Sequence, residues 1–112
     1  MTVRLHLALS THDLDASIQD YSQRLGTGPC ATVAGAYALW RTDTINLSVR
    51  VDLDTPPGTL RHLGHEDPTA AGFSVDTDVN GLVWERFTAA QQAEEIAQAW
   101  PGSGYSPTAD PP

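Results

Sequence analysis

The chain has 112 residues, of which 40% are hydrophobic and 18% charged, and this length and composition are typical of one small globular domain. Six arginines, no lysine and 14 acidic side chains give a formal net charge of -8 at pH 7, which disfavours binding to nucleic acid or to anionic lipid. The sequence lacks an apolar run of the ~20 residues that span a bilayer and lacks a secretory signal pattern, which predicts a cytoplasmic, non-membrane protein. Its single cysteine predicts that the chain has no internal disulfide.

The first half of the chain predicts a βαβββ unit over residues 3–51. Residues 3–10 alternate, with Val3 and the leucines on one face and His6 on the other, which indicates a half-buried strand. A helix follows, which Asp13 or Asp15 can cap and Gly26 can end. The apolar residues at helical spacing are Leu14, Ile18, Tyr21 and Leu25. Three more strands are predicted at residues 29–33, 37–41 and 45–51.

The second half, over residues 61–87, has features of a shortened copy of the first. The triplet His62-Leu63-Gly64 echoes His6-Leu7-Ala8, 56 positions earlier. Two β-rich runs follow in residues 73–87, on either side of the hairpin pair Asn80-Gly81. A complete βαβββ unit needs about 40 residues. The second half is shorter than that, so at least the helix of the copy is missing.

The chain ends in a predicted helix and a tail. Residues 89–100 form the helix, Pro101 ends it, and residues 101–112 are expected to be disordered because they are rich in proline and glycine. The apolar stripe of this helix comprises Ala93, Ile96, Ala97 and Trp100. The predicted fold is therefore a single α+β domain over residues 1–100, with a curved mixed sheet and a C-terminal helix.

Several short segments carry a family resemblance. They are LHLALSTHDLDASIQDYSQRLG at residues 5–26, Tyr37-Ala38-x-Trp40, Ile45-Asn46, Arg61-His62-Leu63-Gly64 and Asn80-Gly81-Leu82-Val83-Trp84-Glu85. Together they resemble the vicinal oxygen chelate superfamily of glyoxalases, extradiol dioxygenases and bleomycin-resistance proteins. The branch most similar is that of cadmium-induced proteins and organoarsenical lyases. The arsenical lyases carry a vicinal cysteine pair, which this chain lacks, so that particular activity is not expected.

The resemblance implies a metal site formed by His6, His62 and Glu85, with Glu85 also in a catalytic role. Strand alternation supports it, because both imidazoles point away from the leucines that neighbour them. Two histidines and one carboxylate suit a divalent ion such as Fe, Mn, Ni or Zn and leave coordination positions open for a substrate. The plainer interpretation is a half-exposed strand histidine at His6 and a solvated or arginine-paired carboxylate at Glu85.

The leading functional interpretation is a glyoxalase- or dioxygenase-like protein, a metal-dependent lyase, isomerase or dioxygenase acting on a small oxygen-chelating substrate. Arg50 could anchor an anionic substrate, although a salt bridge to Asp43 or Asp52 is an equal alternative. Whether the protein is an enzyme stays open.

Two other functions remain. The first is a metal-free protein that binds or sequesters a drug-like or cationic ligand in a groove lined by Tyr37, Trp40 and Trp84. The second is a non-catalytic remnant that associates with a second copy. A homodimer is expected in any case, because the missing helix leaves part of one sheet face uncovered.

Overall fold

Seven strands form one open mixed sheet that carries a helix on each face, so the predicted α+β class is confirmed. The computed structural model describes residues 2–107. The elements are β1 Arg4–Thr11, α1 Leu14–Leu25, β2 Ala31–Val33, β3 Tyr37–Arg41, β4 Ile45–Val51, β5 Leu60–Glu66, β6 Ser74–Thr77, β7 Val83–Phe87 and α2 Ala89–Ala99. The strand order is β2-β3-β4-β1-β5-β7-β6. Neither helix is long and apolar enough to cross a membrane.

The two halves of the sheet repeat one pairing pattern. In the first half β1 pairs in parallel with β4, which pairs antiparallel with β3. In the second half β5 pairs in parallel with β7, which pairs antiparallel with β6. The second half has no helix and no counterpart of β2. The pairing therefore repeats over three strands, while the rest of the first unit has no equivalent.

The repeated sequence triplet lies at the junction of the halves. Strands β1 and β5 pair antiparallel, and Leu7 faces Leu63 across the strand pair. On either side of this pair, His6 lies opposite Gly64 and His62 lies opposite Ala8. Each imidazole thus has a very small residue as its cross-strand neighbour, which leaves space for the ring above the sheet.

Helix α1 packs on the face of the sheet formed by β3 and β4. Its N-terminus is capped by Asp13, whose side chain accepts a hydrogen bond from the Ala16 backbone N–H at 3.0 Å, and it ends at Gly26 with a φ of 73°. All four residues of the predicted stripe contact the cluster that Trp40 and Val49 contribute from the sheet. The sequence prediction for α1 is therefore confirmed.

Helix α2 packs on the opposite face of the sheet. Its N-terminus has a capping box between Thr88 and Gln91, and Ile96, which is 3% exposed, packs against Tyr37 and Leu39. The predicted stripe is only partly right. Gln92 is buried in place of Ala97, which is exposed, because the sheet beneath the first turn of α2 is polar.

Residues 101–107, for which composition predicts disorder, include one side chain that packs on the sheet. Tyr105 packs on the same cluster as Tyr37 and Trp100, and the Cys30 thiol lies 3.9 Å from its hydroxyl oxygen. A single aromatic side chain thus holds this segment against the sheet. The rest of the predicted tail, residues 108–112, lies outside the described residues.

The more deeply buried face of β1 is the one that carries the polar side chains. Arg4, His6 and Ser10 are at most 3% exposed, whereas Leu5 on the leucine face is 38% exposed. The reason is that α1 packs mainly against β3 and β4, whereas Gln92 of α2 and the Glu66 side chain contact the polar face. Within residues 2–107, neither helix packs on the leucine face of the second half, and association of two chains through this face stays a prediction.

Candidate metal centre

Three side chains from three strands meet on the polar face of the sheet. His6 Nε2 lies 3.0 Å from His62 Nε2, and His62 Nε2 lies 3.0 Å from Glu85 Oε1. All three ligand atoms lie within 4.8 Å of one another. Two ligands about 2.1 Å from an ion and at right angles to each other are roughly 3.0 Å apart. The predicted residues therefore come together in a group that could hold a metal ion.

The register of the sheet explains this convergence. Gly64 on β5 pairs with His6 on one side and with Glu85 on the other, so these three residues form one row across the sheet. His62, two residues before Gly64 on β5, points to the same face. Because Gly64 has no side chain, the middle position of this row places no side chain between His6 and Glu85. A Cβ atom at position 64 would overlap the Glu85 carbonyl oxygen and lie 3.0 Å from its carbonyl carbon.

We expect Gly64→Ala to destabilise the protein by about 1 to 3 kcal/mol, because β7 must move away from β5 to admit the methyl group. Gly28→Ala is the matched control, since a Cβ at position 28 meets nothing within 4 Å. Urea unfolding of both variants and the wild type measures the difference. Equal midpoints for the two variants would show that the close approach of β5 and β7 is not a constraint.

Asn46 on β4 sets the tautomer of His6. The Asn46 Nδ2 group donates to Glu66 Oε1 at 2.8 Å, and a carboxylate only accepts, so the orientation of the Asn46 amide is fixed. Its Oδ1 then accepts a hydrogen bond from His6 Nδ1 at 2.8 Å. The hydrogen of the neutral ring is therefore on Nδ1, and the Nε2 lone pair faces His62 and Glu85. Hydrogen bonds of this kind orient metal-binding histidines in other proteins.

Burial lowers the pKa of His6, and its hydrogen bond to Asn46 opposes this shift. The positive charge that His62 would carry lowers the pKa of His6 further. His6 is 2% exposed and in edge contact with Phe87, at 5.0 Å between ring centroids. The neutral imidazole, the form that binds a metal, is thus favoured by its surroundings.

Glu66, the residue that fixes Asn46, lies in a buried charge cluster. Its carboxylate contacts Arg4 Nη1 at 2.7 Å and Arg41 Nε at 2.7 Å. Burial by itself would raise the pKa of Glu66, but the interactions with Arg41, Asn46 and Arg4 outweigh it and hold the pKa below its usual value. The carboxylate is therefore ionised and can only accept hydrogen bonds. Both hydrogen bonds are thus donated toward Glu66, from His6 to Asn46 and from Asn46 to Glu66.

A cavity of about 460 Å³ opens above this group, between the polar face of the sheet and α2. Its lining includes His6, His62 and Glu85 as well as Arg50, Arg61 and Glu95. Burial and then the charge of Glu85 raise the pKa of Glu95. The cavity thus places a second carboxylate, supplied by α2, close to the three candidate ligands.

The structure separates the aromatic residues that were predicted to line a groove. Tyr37 lines the cavity, but Trp40 is fully buried under α1 on the other face. Positions 37 and 40 are an odd number of residues apart on one strand, so they point to opposite faces. Trp84 also lies on the leucine face, where its ring stacks on His65 and its Nε1 donates to Asp78 at 2.8 Å.

Arg50, the residue predicted to anchor an anionic substrate, lines the cavity, with its guanidinium 5.2 Å from the centre of the Trp100 ring. Its role as an anchor stays a prediction. Neither Asp43 nor Asp52 forms a salt bridge with it within residues 2–107.

Sequence reasoning missed Gln92, Glu66, Glu95 and Arg61. For Gln92 a signal was present, because it is one helical turn before Ile96. Its side-chain amide donates to Asn46 Oδ1 at 3.0 Å and accepts from Asn46 Nδ2 at 2.8 Å. Helix α2 therefore contacts the residue that orients His6. For Glu66 no local signal distinguishes a buried carboxylate from an exposed one.

None of the protein-family models and none of the curated proteins compared with this chain matches it.

Proposed function

We propose that the protein binds a divalent metal ion at His6, His62 and Glu85 and acts as a metal-dependent lyase, isomerase or dioxygenase on a small oxygen-chelating substrate. The observation that carries the proposal is the pair of 3.0 Å separations between ligand atoms on the floor of an open cavity. Three protein ligands leave positions for substrate oxygens on a six-coordinate ion.

The residues of the centre have separate tasks in this proposal. A divalent ion bound there supplies a Lewis acid or a centre for dioxygen activation. His6 and His62 offer neutral nitrogen donors, and Glu85 contributes the one negative charge among the three ligands. Glu95 is the group that exchanges a proton with the substrate, because it lines the cavity and its pKa is raised by burial and by Glu85.

Membership of the vicinal oxygen chelate superfamily is part of the same proposal. It is supported by the repeated pairing of β1, β4 and β3 in β5, β7 and β6, and by the equivalence of His6 and His62 across the junction. One strand and the helix of the second unit are absent from this repeat. On this view, α2 replaces the wall that the absent elements would have formed.

The proposal predicts that wild-type protein, loaded with Fe(II), Mn(II), Ni(II) or Zn(II) and then desalted, retains about one ion per chain. His62→Ala should retain essentially none, because the two remaining ligands compete poorly with water. His65→Ala is the matched control, since His65 is on the same strand but contacts Trp84 on the opposite face. Elemental analysis gives the metal content, and thermal unfolding verifies that each variant is folded.

Equal metal content in His62→Ala and wild type would refute the assignment of the ligands. Wild-type protein that retains no ion would instead favour a metal-free binding protein. That alternative is supported by the contact between Tyr37 and Trp100, whose ring centroids are 4.6 Å apart and which form an aromatic wall of the cavity.

A further inference from the structure

The arginines of this acidic chain fall into two groups. Four form salt bridges with carboxylates, namely Arg4, Arg24, Arg41 and Arg86. Within residues 2–107, Arg50 and Arg61 form none, although the chain has 14 acidic side chains and only six basic ones. Both of these arginines line the cavity above the metal centre. Within residues 2–107, the two guanidinium groups without a salt bridge thus both lie at this cavity.

Arg61 reaches the cavity because of an irregularity in the sheet. Ala8 pairs with His62 and Leu9 pairs with Leu60, so Arg61 has no partner on β1. In a regular strand, Arg61 and His62 would point to opposite faces. Here both consecutive residues line the cavity. A β-bulge commonly redirects a side chain in this way beside a functional site.

Arg50 is held at the cavity by an aromatic ring. Its guanidinium lies 5.2 Å from the centre of the Trp100 ring, and Trp100 itself is in tilted ring contact with Tyr37. Stacking uses the flat face of the guanidinium and leaves its N–H groups at the edge available for hydrogen bonds. Asn46, the hydrogen-bond partner of His6, is on the same strand as Arg50 and four residues before it. The two backbone positions are therefore about 13 Å apart along β4.

From these observations we infer that the ligand of this cavity carries an oxyanion group, a carboxylate or a phosphonate, that Arg50 and Arg61 hold. The inference rests on the proposed function for the other end of the ligand, whose oxygens approach His6, His62 and Glu85. A planar guanidinium binds two oxygens of such a group at once. The chain as a whole repels anions, so the pair of arginines is what admits one here. The cationic ligand of the metal-free alternative is thereby disfavoured.

Inorganic phosphate is the probe for this site, and it is used with metal-free protein so that it cannot bind through an ion. Titration of nitrogen-15-labelled protein at constant ionic strength, followed by NMR, should shift the amide signals of Arg50, Arg61 and Trp100 together. The double variant Arg50→Gln/Arg61→Gln should raise the dissociation constant by about tenfold or more, and each single variant by a smaller factor. Arg24→Gln removes the same charge from the exposed surface of α1 and should change nothing.

Wild-type affinity in the double variant would overturn the inference, and so would an equal weakening in Arg24→Gln. The single variants provide the same comparison if the double variant fails to fold. His62→Ala separates this inference from the proposed function, because it should lose the metal and keep phosphate affinity. If wild-type protein binds no metal yet phosphate binding depends on both arginines, the metal centre is wrong and the oxyanion site stands.

Discussion

Glu66→Gln is expected to lower the free energy of unfolding by about 3 to 5 kcal/mol, the usual effect of removing one member of a buried ion pair. The wild-type carboxylate lies between Arg4 and Arg41, and the side chains of Glu66 and Arg4 are both 3% exposed. Glutamine has the same shape, so the variant loses the negative charge between two buried positive charges rather than the packing. Urea unfolding near neutral pH measures the loss.

Asp20→Asn is the matched control for Glu66→Gln, because Asp20 pairs with Arg24 on the exposed surface of α1, where their side chains are 52% and 72% exposed. A surface pair contributes at most about 1 kcal/mol. If Glu66→Gln costs no more than Asp20→Asn, the buried cluster does not stabilise the fold.

The stability of the fold should also depend on pH through the Glu66 carboxylate. Because the pKa of Glu66 is lower in the folded protein than its ordinary value of 4.5, folding favours the ionised form. The resulting stabilisation is complete above the pKa of the unfolded chain and is lost as the pH falls through the lower pKa of the folded protein. Below about pH 4.5 the wild type should therefore lose stability more steeply than Glu66→Gln.

A chain that ends at Thr88 is expected to lose more than about 3 kcal/mol of stability, because burial of each large apolar side chain contributes about 1.5 to 3 kcal/mol. The truncation removes Ile96, which is 3% exposed, together with Trp100 and Tyr105 from the same cluster. It also removes Gln92, the double hydrogen-bond partner of the Asn46 amide. Such a loss is a large fraction of the stability of a small domain.

The single variant Ile96→Ala tests the packing of α2 without removing the helix, and about 2 to 5 kcal/mol is expected. Glu94→Ala, two residues earlier on the exposed side of α2, should change stability by less than ~0.5 kcal/mol. Thermal melts that coincide for the wild type, Ile96→Ala and the truncated chain would show that α2 contributes nothing to the fold.

Much of the local structure follows from periodicity. The four-residue stripe of α1, its end at Gly26 and a cap at Asp13 or Asp15 could be predicted because they depend on residues close together in the sequence, and the structure has Asp13 as the cap. The repeated triplet likewise pointed to His6 and His62 as equivalent positions, and the sheet pairs them about Leu7 and Leu63. The C-terminal helix was predicted at nearly its observed bounds for the same reason.

The sequence by itself determined most of the secondary structure and the fold class, and the family resemblance implied the candidate group of His6, His62 and Glu85. Only the tertiary structure decided which face of β1 is buried, because alternation assigns residues to faces without showing what covers each face. The cover is α2, which lies some 80 residues later in the chain and brings Gln92 onto Asn46. The tertiary structure also decided the position of the Arg61 side chain, since it depends on the register between β1 and β5. Pairing across distant strands balances many weak contacts at once, so a local pattern cannot fix that register.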